Sequence, residues 1–140
     1  MRFWDSSAII PLCLAEPASK KVRNLAEKDE DLVVWWATQL ECISAVARRH
    51  REGGLTSQAE RNARGALSAL AATWSEVQPT ELVRHRAGRL LMVHPLRAAD
   101  ALQLAAALVW TGEGTSGAEF VCLDHNLRES ALKEGFTVLP

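Results

Sequence analysis

Four acidic residues stand where a chain can most easily build chemistry: Asp5, Glu41, Asp100 and Asp124. Asp5 and Asp124 directly follow short apolar runs, "RFW" (2–4) and "EFVCL" (119–123). Glu41 comes soon after a third such run, "DLVVWW" (31–36), in the first turn of the helix expected to follow it. Asp100 is the only formal charge in "AADALQLAAALVW" (98–110), otherwise the segment most suited to burial. An ionised carboxylate taken out of water is costly unless something compensates it. Four converging carboxylates repel one another as well. A hard divalent cation relieves both problems through oxygen ligands, which points to Mg²⁺ or Mn²⁺. The three cysteines, Cys13, Cys42 and Cys122, form no CxxC pair, so neither a zinc site nor a disulfide framework is expected.

Each acid has a structural role open to it as well. Asp5 could cap the helix that follows it, and Asp124 the helix over 127–134. Thr38-x-x-Glu41 has capping-box spacing. Asp100 could complement a helix dipole and pair with Arg97, three residues before it. Taken singly these alternatives stay open. Taken together, the acids fall where an alternating α/β chain places a site.

The elements that must position them read as strands alternating with helices. Strands are expected at 2–4, 31–36, 119–123 and 136–139. Helices are expected at 7–17, with Pro11 tolerable only near the first turn, and at 20–28 behind Ser19. Others run from Thr38 to about Glu52, ended by Gly53-Gly54, and from Thr56 or Ser57 to about Trp74. There Ser57-x-x-Glu60 also has capping-box spacing. Further helices are expected at 81–92, behind Pro95 around Asp100, and at 127–134 behind Asn126. This alternation predicts an α/β fold with a mainly parallel sheet covered by helices on both faces. Ligands of such sheets bind beyond the carboxyl ends of the strands, where Asp5 and Asp124 lie.

The bulk numbers agree with one soluble domain over 1–140. The chain is 48% hydrophobic and 24% charged, enough for one real core. Its formal net charge of −1 gives no bulk pull on nucleic acid, so any basic surface must be local. Candidates are Arg48, Arg49 and Arg51, then Arg84, Arg86 and Arg89, and Arg97 beside the acidic site. Unpaired cysteines and no visible signal peptide suggest a cytoplasmic setting. The apolar run 98–110 is shorter than the roughly 20 residues of a membrane span. Trp4 and the Trp35-Trp36 pair are expected in the core or in dimer contacts rather than under nucleic-acid bases.

At this point the motifs resemble a known family. "FWDSSAIIPLCLAEPAS" resembles the opening of PIN-domain nucleases, and "WATQLECISAVARRHREG" their second motif. "HPLRAADALQLAAAL" resembles the third motif most closely, and "FVCLDHNLRESALKEGFTVL" the fourth. Order and spacing match along the whole chain, and length and third motif look most like VapC-type toxins. The resemblance implies a three-layer α/β/α sandwich with about four to five strands. It implies an endoribonuclease dependent on one or two Mg²⁺ or Mn²⁺ ions, with RNA as substrate and an antitoxin protein as partner. It also implies a homodimer. Its acidic set maps onto Asp5, Glu41, Asp100 and Asp124, with Ser6 where the family often has a hydroxyl. Arg97 and Asn126 are further candidates for substrate contact. Gln103 departs from the histidine many relatives carry, and His125-Asn126 departs from the acid some carry after the fourth motif.

Two other readings remain at this stage. A phosphatase-like enzyme would use the acid after the first strand as a covalent nucleophile. Such chemistry usually wants a second acid close behind, whereas Asp5 is followed by Ser-Ser-Ala. An inactive PIN-fold binding module for RNA or protein is the other.

Overall fold

The computed structural model describes residues 1–140. Five strands form one sheet: β1 (Arg2–Trp4), β2 (Leu32–Trp35), β3 (Ser75–Val77), β4 (Glu119–Val121) and β5 (Thr137–Leu139). Their order across the sheet is β3-β2-β1-β4-β5, and every neighbouring pair is parallel. Chain order runs outward from β1 to one edge, then resumes at β4 on its other side. β1 and β4 therefore flank the point where the winding reverses, the usual place for a ligand crevice in parallel α/β sheets.

Seven helices cover the sheet: α1 (Ser6–Cys13), α2 (Ser19–Ala26), α3 (Thr38–Arg51), α4 (Ser57–Ala71), α5 (Glu81–Val93), α6 (Ala98–Trp110) and α7 (His125–Lys133). The period-2 alternation of the strands decides which layer each helix joins. Phe3, Val33, Trp35 and Phe120 point to one face and pack against α5, α6 and α7. Trp4, Val34 and Val121 point to the other and meet α1, α2, α3 and α4 through Ile9, Val22, Cys42 and Leu67. The result is the expected α/β/α sandwich. Helix α6 reads as an Ala/Leu run because it lies flat on the sheet. Ala101, Leu104, Ala105 and Leu108 are all buried, and the small side chains let the helix approach the Phe3–Phe120 stack, whose centroids are 5.3 Å apart.

Several local expectations need correction. β3 was not expected as a strand. It is a polar three-residue edge strand, "SEV", held in parallel register by β2. Pro11 sits well past the first turn of α1. It forfeits the N–H that would bond Ser7, and the helix ends two residues later. Ser19 lies inside α2 instead of capping it, and its hydroxyl donates to the Leu14 carbonyl at 2.9 Å. The Thr38–Glu41 capping box does not form, since Ala37 is the N-cap and both side chains turn to Gln103. Nor does Ser57–Glu60: Glu60 pairs with Arg64, and Thr56 caps α4 by accepting from the Ala59 N–H at 3.1 Å. Helix α4 stops at Ala71, short of Trp74. Asp124, not Asn126, caps α7, and Asn126 is an exposed residue within that helix.

The cap at Thr56 gives a simple check. Thr56→Ala removes one side-chain bond from an exposed helix start. It should cost about 1 kcal/mol in denaturant unfolding without touching the sheet.

Candidate active site

The carboxyl edge of the sheet opens into a cleft of about 480 Å³. Asp5, Glu41, Asp100 and Asp124 all line it, together with Ser6, Ser7, Ser44 and Arg48. The acids reach it from different supports. Asp5 follows β1 and Asp124 follows β4, the two strands at the reversal point. Glu41 comes from α3 in one helical layer and Asp100 from α6 in the other. Both helices start at this edge, so each carries its acid within the first turn.

Asp5 is the deepest of the four, at 2% exposure. Its Oδ2 accepts from the Ser7 backbone N–H at 3.0 Å and from the Ser7 hydroxyl. That hydroxyl in turn accepts from the Leu123 N–H at 2.9 Å, tying the end of β1 to the end of β4. All of these bonds fall on Oδ2, and Oδ1 accepts none. Burial pushes the Asp5 carboxyl up to about 6; the Ser7 bonds counter this, and Glu41 and Asp100 add to it.

Glu41 is held by a buried amide. Gln103 donates through Nε2 to Glu41 Oε2 and to Thr38 Oγ1, both at 3.1 Å. Desolvation raises the proton affinity of Glu41; the Ser6 hydroxyl and Gln103 oppose the rise, and Asp100 reinforces it. Asp100 is raised first by desolvation and then by Asp124, against the opposing pull of Arg97. Asp124 is exposed and spends Oδ1 on the Leu127 N–H at 2.9 Å. Its capping role and its place in the cleft therefore coexist.

The basic residues sort clearly. Arg49 pairs with Glu16, Arg84 with Glu81 and Arg86 with Glu113, so those charges are engaged elsewhere. Arg97 is exposed, does not line the cleft, and forms no ion pair with Asp100. Arg48, one helical turn beyond Ser44 on α3, is the cation on the cleft wall. Asn126 does not reach the cleft lining. Of the tryptophans, Trp4 and Trp35 are core residues, whereas Trp36 is half exposed at the carboxyl end of β2.

Sequence reasoning missed two contributors. Ser7 bonds Asp5, because the first turn of α1 points its hydroxyl back at the cap, while Ser6 meets Glu41 within the same site. The second is Gln103, which the sequence presents only as a departure from the family's histidine. An amide three residues after Asp100 in an Ala/Leu helix is the signal that could have found it. Gln103→Leu keeps the volume but strips a donor from Glu41 and from Thr38. We expect a further rise in the proton affinity of Glu41. A Glu41 titration shifted upward in NMR, beside a stability loss of about 1–3 kcal/mol from the acceptors left without their donor, would show it.

The donor set suits a hard cation: every acid offers oxygen, no lysine or histidine competes in the lining, and Asp5 Oδ1 is unspent. No group of three Asp, Glu, His or Cys side chains is clustered tightly enough to grip one ion by direct contact alone. The arrangement therefore fits a cation that keeps much of its water, as Mg²⁺ does when one or two carboxylates bind it.

Fold and site together define a parallel α/β protein with a shared acidic cleft at its winding reversal. The chain belongs to the PIN domain family, whose model matches residues 2–133. Solved structures with the same fold include Mycobacterium tuberculosis VapC20, described as a sarcin-ricin loop cleaving toxin. It is 18% identical with a TM-score of 0.67, over 98% of this chain and 97% of that one. FitAcB from Neisseria gonorrhoeae is 16% identical with a TM-score of 0.66, over 100% and 97%. A toxin–antitoxin complex from Klebsiella pneumoniae is 18% identical with a TM-score of 0.62, over 89% and 87%. A search of curated proteins finds no match.

Proposed function

We propose that this protein is a Mg²⁺- or Mn²⁺-dependent endoribonuclease acting as the toxin of a toxin–antitoxin pair. One observation carries the reading: four carboxylates from four segments line a single cleft at the winding reversal, three of them with raised proton affinity. An enzyme that needed only structural acids would have no reason to keep them mutually repelling and underpaired.

In this reading Asp5 and Asp100 would hold the cation, and Glu41 and Asp124 would reach it through its bound water. One or two such ions, when bound, would supply a water of lowered pKa and charge neutralisation at the leaving oxygen. Glu41, fixed by Gln103, orients the attacking water and takes its proton. Ser7 keeps Asp5 in one rotamer and Ser6 steadies Glu41. Arg48 draws a phosphate against the cleft wall, which an otherwise acidic site requires. Arg97 supplies longer-range attraction. A cognate antitoxin would silence the site by covering the cleft and placing a cation among the acids. A homodimer and a single domain over 1–140 belong to the same reading.

The test is a mixed RNA pool incubated with purified protein in Mg²⁺, in Mn²⁺ and in EDTA. Cleavage that chelation abolishes and added metal restores supports the reading. Metal-independent cleavage, or hydrolysis of small phosphate esters in place of RNA, defeats it.

A further inference from the structure

A second groove, of about 340 Å³, opens beside the acidic cleft. Trp36, Gln39, Leu40, Ile43 and Glu76 line it, and Leu40 also lines the cleft. The two depressions occupy neighbouring stripes of α3. Glu41, Ser44, Ala45 and Arg48 face the cleft, while Gln39, Leu40 and Ile43 face the groove. Leu40 forms the ridge between them.

Trp36 is 51% exposed, an expensive way to place the largest apolar side chain. It is nonetheless held in place. Its backbone N–H donates to the Val77 carbonyl at 3.1 Å, which extends the β2–β3 pairing by one residue. Its ring meets buried Trp35 edge-on, with centroids 6.5 Å apart and planes at 70°. Trp4 is level with Val34 across β1 and β2. Carrying that register on places Asp5 beside Trp35, with Trp36 one residue further out, ~3.3 Å along and ~4.8 Å across. Glu76 is pinned from behind. Its Oε1 accepts from Trp74 Nε1 at 3.0 Å, while Oε2 accepts nothing. A fixed indole face, an amide at Gln39 and a free carboxylate oxygen form the chemistry that recognises a nucleobase by stacking and by its edge.

The geometry points to this groove as a base subsite of the cleft, in place of the core or dimer contact that the sequence suggests for Trp36. There Trp36 stacks a nucleobase next to the scissile phosphate, and Glu76 accepts from the exocyclic amine of that base. The occupant is a single-stranded RNA strand already in the cleft; continuity through Leu40 argues for it over a protein surface. This inference rests on the ribonuclease reading and assigns that site a specificity pocket. Glu76 favours the bases that carry an exocyclic amine, adenine, cytosine and guanine, over uracil, which has none.

The test measures binding of fluorescein-labelled rA8, rC8 and rU8 by anisotropy, in an Asp5→Asn background that separates binding from cleavage. Trp36→Ala and Trp36→Leu should each weaken rA8 and rC8 binding about tenfold or more, and Trp36→Phe should restore most of it. Glu76→Gln should narrow the gap between rA8 or rC8 and rU8. Equal RNA binding by Trp36→Leu and the parent overturns the proposal. So does a Trp36 variant that changes only the oligomeric state, which would make the groove a contact between copies. Failure of the wild-type protein to cleave RNA with metal would instead strike the ribonuclease reading, and the binding series would still judge the groove.

Discussion

Asp5→Asn is expected to abolish metal-dependent RNA cleavage and, at the same time, to stabilise the metal-free protein near neutral pH. The two effects share one cause. Asp5 is buried and its carboxyl is raised from 3.8 to about 6. A carboxyl whose folded value lies above its unfolded value holds its proton more tightly in the folded state. That contribution is fully present below about pH 4 and is lost as pH rises through about 6. A shift of this size corresponds to ~3 kcal/mol of strain once the group is ionised. Glu41 and Asp100 shift in the same direction, so the metal-free protein should melt at lower temperature at pH 7.5 than at pH 5. Asparagine removes the charge, caps α1 as well as aspartate does, and can still accept the Ser7 bonds. We therefore expect the variant in EDTA at pH 7.5 to melt roughly 5 °C or more above the wild type, with a flatter pH profile. Cleavage should fall by at least about a thousandfold. A variant less stable than the wild type at pH 7.5 would mean that the Asp5 charge is paired rather than strained.

The second large effect is at Asp100. It stands in the first turn of α6, where an acid complements the helix dipole for at most about 1 kcal/mol. Its replacement should hardly affect the fold, because the packing of α6 rests on Ala101, Leu104, Ala105 and Leu108. Yet Asp100 is the acid that the α6 layer contributes to the cleft, across from Glu41 of α3. Asp100→Asn should lower cleavage by at least about a hundredfold and should blunt the thermal stabilisation expected of the wild type on adding Mg²⁺. A fully active Asp100→Asn enzyme would move the site away from α6.

Much of this was legible in the sequence because strand-then-acid is a strong local pattern. "RFW" before Asp5 and "EFV" before the segment leading to Asp124 are buried, period-2 strands, and direction alone places both acids at one edge. The lone charge in α6 was legible for a similar reason: nothing in an Ala/Leu helix packed on a sheet explains a carboxylate. What stayed hidden depended on partners distant in sequence. β3 has no apolar pattern of its own and becomes a strand only by pairing with β2. Thr38-x-x-Glu41 looks like a local cap, and only Gln103, 62 residues from Glu41, turns it toward the cleft. The difference between Trp35 and Trp36 also lies outside the local pattern, since both end the same apolar run and only one meets the core.

The carboxylates of this cleft are proposed to share a divalent cation. Mn²⁺ titration followed by electron paramagnetic resonance measures this without RNA and without turnover. The wild type should take up one or two ions per chain at neutral pH, in competition with Mg²⁺. Asp5→Asn and Asp100→Asn should each bind at least about tenfold more weakly while remaining folded. Mn²⁺ uptake that is absent from the wild type, or unchanged in both variants, would contradict it.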